Sequence, residues 1–159
     1  MTCQDKGLHP GLENTMAPRL LLLFDGYCGF CTRVVHWLLA HDRDCRILAL
    51  PSQTPGVRER HGLTREQTDA AIWVLDAGSG RALGSAALAA NILLAQLPAP
   101  WRWIPWLAFL PGVPQLQQRL YFWIAHNRGR LGRWYGTTPP CERPGALCVD
   151  QPTPHASGS

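Results

Sequence analysis

A strand-length segment, Arg19–Phe24, apolar without a break from Leu20 onward, stops at Asp25-Gly26, and a different pattern follows it. The run has strand length and no polar alternation, which predicts a strand buried on both faces. From Cys28 to about His41 the apolar positions Phe30, Val34, Val35, Leu38 and Leu39 recur at three- and four-residue spacings. That spacing predicts an amphipathic helix, ended by His41-Asp42-Arg43-Asp44. Cys45–Leu50 reads as a second short strand, stopped by Pro51. Strand, helix and strand in so few residues make a βαβ unit, a parallel pair with a right-handed crossover. After a polar loop at 52–62, with room for one helical turn, Thr64 and Gln67 are spaced for a capping box at the start of a short helix. Ala71–Leu75 is strand-like, Asp76–Gly80 is a hairpin loop and Arg81–Gly84 is the return strand. Ser85 then stands as N-cap of a helix from Ala86 to about Leu97, which Pro98 ends.

Elements in this order predict an α/β domain over residues 19–97. Its four strands form one mixed sheet with helices on both faces, the thioredoxin-like arrangement, and a Cys-x-x-Cys pair sits at the carboxyl end of the first strand. Residues 98–135 read as a helical extension packed on that domain. Within it Trp101–Leu110 carries three tryptophans and is interrupted by proline, and a further helix opens at Pro114 and ends at Arg128-Gly129. Residues 1–18 read as a flexible N-terminal segment. Residues 136–159, rich in proline and small polar side chains, read as a largely disordered tail.

Composition adds bounds. A chain of 159 residues, 46% of them hydrophobic, is one domain with enough apolar side chains for a core. Its formal charge of +4 is modest but unevenly spread: between Asp76 and Glu142 there are six arginines and no acidic residue. That half favours an anionic neighbour, a lipid surface or an acidic small molecule, over which a solvated basic face is the plainer account. No nucleic-acid-binding module surrounds those arginines, so nucleic acid is not an expected partner. Tryptophan and arginine also suit a membrane interface. Contact with a membrane surface therefore stays open, although packing of the tryptophan segment over the sheet is favoured. Six cysteines are too few and too scattered for a disulfide-stapled secreted domain, and Leu20–Phe24 is too short for a signal core or a membrane span. Cytoplasm is the expected location.

The candidate chemistry is sulfur chemistry. Cys28 and Cys31 are three apart, so at a helix start they lie on neighbouring positions of one face, close enough to close a small disulfide ring. Unpaired N–H groups and a partial positive charge at that helix end favour a thiolate, and Cys-x-x-Cys placement there can lower a thiol from about 8.5 to roughly 3.5–7.5. Cys28, expected to be the more exposed, would attack a disulfide, and Cys31, one turn inside, would resolve the mixed disulfide. Asp25 has two roles open to it, proton acceptor near Cys31 or cap of the turn, the second being favoured. Arg128, at a helix end, complements the helix dipole, and a sharper role would be to hold a substrate carboxylate. Cys45 reads as a small packing side chain in its strand. His36 reads as a surface residue.

Redox exchange is favoured over two alternatives: a zinc or iron–sulfur module using the same cysteines, and a partner- or membrane-binding protein whose cysteines are idle. A zinc site would need a second pair, and Cys141 and Cys148, with six residues between them, are wider apart than the usual knuckle spacing. No metal ligand is therefore assigned.

The stretch Phe24-Asp25-Gly26-Tyr27-Cys28-Gly29-Phe30-Cys31 resembles the signature of the DCC family of predicted thiol–disulfide oxidoreductases, an aspartate followed by two cysteines. The similarity continues through Gly84-Ser85-Ala86 and Tyr121–Arg128, about residues 19–135 in all. It implies a thioredoxin-like fold with Cys28 and Cys31 as the redox pair. No cofactor is then built in beyond the cysteines, with glutathione or a thioredoxin system as reductant and a disulfide-containing protein or low-molecular-weight thiol as substrate. Thioredoxin-like enzymes usually carry a cis-proline just before the third strand, and here Asp69-Ala70-Ala71 stands in that place.

Overall fold

In the computed structural model, which describes residues 19–142, 144–146 and 148, the leucine run is β1 (Leu20–Phe24) and lies inside the sheet. It pairs in parallel with β2 (Ile47–Pro51) and antiparallel with β3 (Trp73–Asp76). Antiparallel β4 (Ala82–Ser85) completes the order β2-β1-β3-β4. Alternate side chains of a strand point to opposite faces, and here both faces are covered. Leu20, Leu22 and Phe24 meet Val35, Leu38 and Leu39 of α1 (Gly29–His41) and Ala89 and Leu93 of α4 (Ala86–Ala95). Leu21 and Leu23 point the other way, to Leu75, to Val57 of the single-turn α2 (Val57–Arg60) and to Leu63. A strand with a core on each side has no position for a polar residue, so all five side chains are apolar and buried. This is the thioredoxin-like arrangement that the element order predicts.

Local signals act where they are read. The Thr64 hydroxyl accepts from the Gln67 N–H at 3.3 Å and the Gln67 side chain accepts from the Thr64 N–H at 2.8 Å, a capping box opening α3 (Arg65–Ala70). Cys45 differs from expectation. It lies in the turn before β2, with φ of 52°, because the buried carboxylate of Asp42 captures the Ile47 N–H at 2.8 Å and the strand begins only there.

The C-terminal third departs further. Residues Trp101–Phe109 form a 3-10 helix, of which Trp101 packs edge-on against Trp37, ring centroids 4.9 Å apart. Ile104 and Ala108 are half-buried along the same segment, whereas Trp103, Trp106 and Phe109 are exposed. Their three-residue spacing stacks them along one edge of a 3-10 helix, with centroids 6.1 Å apart at each step. The following helix, α5 (Val113–Tyr135), does not stop at Arg128-Gly129. Its last turns run beside the start of α1, where a Cβ on Gly132 would lie 3.5 Å from the Phe30 nitrogen. Glycine at 132 admits that close approach between helices, whereas Gly129, where the stop was expected, faces open space and is carried inside the helix. Among the described residues no helix is long and apolar enough to cross a membrane. The expected N-terminal segment 1–18 and the end of the expected tail, 149–159, lie outside the described residues.

Leu22 is 1% exposed between α1, α4 and the sheet, whereas Leu88 is 56% exposed on α4. Leu22→Ala is expected to lower unfolding free energy by about 2–5 kcal/mol, and Leu88→Ala to change it by no more than about 0.5 kcal/mol. Urea titrations of the two variants check this, and equal losses would remove β1 from the core.

Candidate active site

At the end of β1 the chain turns through Asp25–Cys28 before entering α1, and the backbone N–H groups of Gly26, Tyr27 and Cys28 each have a partner. The Cys28 N–H reaches the Asp25 carbonyl at 3.2 Å, and the Tyr27 N–H reaches the Asp25 carboxylate, Oδ1, at 3.0 Å. Gln53, buried just past β2, holds the turn from the side. Its amide donates to Asp25 Oδ1 at 3.0 Å while its carbonyl oxygen accepts from the Gly26 N–H at 2.8 Å. Nothing in the polar stretch 52–62 marks Gln53 out, because its role comes from the β1–β2 pairing that brings residue 53 beside residue 26.

Cys28 is the N-cap of α1, and its Sγ accepts the Cys31 N–H at 3.2 Å. This is one of the helix-start donors that has no carbonyl within the helix. Buried Thr32 anchors the same turn, its N–H and hydroxyl both bonded to the Cys28 carbonyl at 2.9 Å. Cys28 and Cys31 form a disulfide with Cα atoms 5.2 Å apart. A donor fixed on the Cys28 sulfur stabilises negative charge there once the bond is reduced.

The exposure of the two sulfurs is the reverse of expectation. Cys28 is buried, at 8%, and Cys31 is half-buried. The cause lies in residues 136–142, which composition assigns to a disordered tail. Here the Thr137 N–H bonds the Gly29 carbonyl and the Cys141 N–H bonds the Gly26 carbonyl, both at 3.1 Å. This segment therefore crosses the glycines on either side of Cys28. A Cβ on Gly29 would come within 2.8 Å of the Thr137 carbonyl oxygen, and one on Gly26 within 2.5 Å of Cys141 Sγ. Cys141 is itself joined to Cys148, with Cα atoms 5.6 Å apart.

Asp25 divides its oxygens. Oδ1 serves the turn and Gln53, the capping contact expected of it, and Oδ2 faces the Arg128 guanidinium at 3.3 Å. Arg128 thus has an internal carboxylate as its neighbour and lines the same cavity as Cys31. Asn127, next along α5, donates to the Trp123 carbonyl, and His36 is exposed on α1. Between α1 and α5 lies a cavity of about 120 Å³ bordered by Cys31, Val34, Ile72 and Tyr121 as well as by Asp25 and Arg128. In the chain just before β3, the Ile72 N–H donates to the Tyr121 hydroxyl at 2.8 Å. Burial pushes the Tyr121 phenol above its ordinary value of 10.0, against the opposing pull of the Ile72 N–H and the Arg128 charge. Among the described residues no three His, Cys, Asp or Glu side chains gather as a metal site would require.

Residues 22–134 match a family model described as DCC1-like thiol-disulfide oxidoreductase. A protein of Bacillus subtilis (strain 168), the uncharacterized protein YuxK, is 27% identical over 136 residues, which cover 84% of this chain and 93% of that protein. No solved structure matches the chain.

Two tests follow from this geometry. The raised phenol of Tyr121 means that the folded state holds that proton more tightly than the unfolded state does. Its contribution is complete below pH 10.0 and falls as pH rises past that value toward the folded one. Tyr121→Phe is expected to cost about 1 kcal/mol at neutral pH and to abolish this alkaline loss; urea titrations from pH 8 upward would show an unchanged alkaline slope if Tyr121 were not its source. Gly29→Ala is expected to displace residues 136–142 and to raise the alkylation rate of Cys28 several-fold in a Cys31→Ser background. An unchanged rate would mean that this segment does not shield the sulfur.

Proposed function

Because the chain belongs to the DCC1-like thiol-disulfide oxidoreductase family, we propose that it exchanges disulfides through Cys28 and Cys31. The observation that carries this reading is the Cys31 N–H held on Cys28 Sγ at the first turn of α1. In the dithiol form that donor and the positive end of the helix favour the Cys28 thiolate. The thiolate attacks one sulfur of a disulfide in a protein or small molecule, the S–S bond breaks, and the departing sulfur takes up a proton. Cys31, whose Cα is 5.2 Å away, then attacks Cys28 Sγ, releases the second sulfur of the substrate as a thiol and closes the ring.

Asp25 acts in this scheme as a positioning residue. Its carboxylate shapes the turn that presents Cys28 and keeps the Arg128 guanidinium near Cys31, at the edge of the cavity. Asp25→Asn keeps an oxygen for the turn but removes the charge facing Arg128, so it slows resolution while leaving the fold intact. A reducing cytoplasm, with glutathione or a thioredoxin system, would return the pair to the dithiol after each turnover.

In Cys31→Ser protein, the alkylation rate of Cys28 measured against pH is expected to inflect below the ordinary thiol value of about 8.5. The same protein is expected to accumulate a mixed disulfide with glutathione disulfide, and Cys28→Ser is expected to lose exchange altogether. A rate that climbs only near pH 8.5, or full exchange in Cys28→Ser, would overturn the proposal.

A further inference from the structure

Cys141 and Cys148 are not used by the chemistry above, yet one of them lies against the turn that presents Cys28. Cys141 Sγ packs on Gly26, close enough that a Cβ there would meet it at 2.5 Å, and the Cys141 N–H is bonded to the Gly26 carbonyl. Its partner Cys148 is seven residues on and half-buried. The segment bearing this disulfide is tied down at a second point by Thr137 on Gly29, and Pro139 between them is buried. Two disulfides of one chain therefore meet at one turn. The sulfur of the first that has a fixed donor, Cys28, is covered by the segment that carries the second. A bulky substrate cannot reach Cys28 while residues 136–142 are docked, but a sulfur already inside that segment can be delivered to it.

We infer that Cys141 and Cys148 form a second redox pair, which exchanges electrons directly with Cys28 and Cys31 and presents them to disulfide-containing partners too large to enter. The inference rests on the exchange chemistry proposed for Cys28 and adds an internal substrate to it. Starting from reduced Cys28 and Cys31, the Cys28 thiolate attacks Cys141 Sγ. The Cys141–Cys148 bond breaks, a Cys28–Cys141 bond forms, and Cys148 leaves as a thiolate that takes up the proton released from Cys28. Cys31 then attacks Cys28 Sγ, the Cys28–Cys141 bond breaks, and Cys141 takes up the proton from Cys31. Two electrons and two protons have moved from the helix pair to the tail pair, with no outside reagent. Run backward, the same steps oxidise the tail pair at the expense of the helix pair. Cys141 is the entering sulfur because it is the one held on the Gly26 turn.

The test uses the full chain with Cys31→Ser and Cys148→Ser, which leaves the proposed mixed disulfide with no resolving thiol. Mild oxidation followed by digestion and mass spectrometry is expected to yield a Cys28–Cys141 linked peptide as the main product at low protein concentration. The matched variant Cys31→Ser with Cys141→Ser is expected to give at least several-fold less Cys28–Cys148 link. Far-ultraviolet circular dichroism reports whether the sheet is kept. Should the first variant fail to fold, the same linked peptide is sought in native protein, acid-quenched while the reduced form reoxidises. A Cys28 that reacts with glutathione disulfide but never links to Cys141 would overturn the relay alone. A Cys28 that does neither would overturn the exchange chemistry as well. Preferential linkage to Cys148 would contradict the assigned entry point and overturn the inference.

Discussion

The first turn of an α-helix carries N–H groups that no carbonyl of the helix can satisfy. In this protein the Cys31 donor is given to a sulfur, with Cys28 at the N-cap and its Sγ 3.2 Å from the Cys31 nitrogen. The arrangement depends on where the helix begins, and that is set by the turn Asp25–Cys28. Asp25 supplies a carbonyl to Cys28 and a carboxylate oxygen to Tyr27, while Gln53 reaches across from the end of β2 to bond both Asp25 and Gly26. A shift of one residue in the β1–β2 register would carry Gln53 away and leave the turn without its brace. The placement of the Cys28 sulfur thus hangs on strand pairing, and strand pairing rests on a strand whose five side chains are all buried.

Around this turn the chain places groups of opposite character. On one side is an apolar cavity between α1 and α5, with Cys31 in its wall and the Asp25–Arg128 pair bringing charge to its lining. On the other is the segment from Thr137 to Cys141, laid across Gly26 and Gly29. Glycine at both places has a physical reason, since a methyl group at either would collide with that segment. Cys28 is in consequence sheltered and Cys31 borders open space. A protein partner approaching this face meets residues 136–142 before it meets Cys28.

The exposed aromatic edge of the 3-10 helix is a separate feature. Trp103, Trp106 and Phe109 align at three-residue spacing on a part of the chain with arginines and no acidic side chain. Their exposure follows from helix geometry, since side chains three apart eclipse one another in a 3-10 helix and only one edge can face the domain. Trp101, at the start of the segment, is the residue that turns inward to Trp37.

Much of this was legible in the amino-acid order, for local reasons. The unalternating run Leu20–Phe24 reads as a strand covered on both faces, the Thr64–Gln67 spacing marks a helix start, and Cys28-x-x-Cys31 after Asp25 marks a cysteine pair at the next helix start. These signals are carried by neighbours in sequence, through pleat, capping and helical spacing. What only the tertiary structure decided involves residues far apart along the chain. Gln53 clamps residue 26, Arg128 faces Asp25, Tyr121 bonds Ile72, α5 runs on through Gly132, and Cys141 settles on Gly26. Each of these lies outside any local period, because it depends on which surfaces meet after the sheet and helices have formed. Composition assigned residues 136–142 to disorder for the same reason: their hydrogen bonds are made to Gly26 and Gly29, more than a hundred residues earlier in the chain.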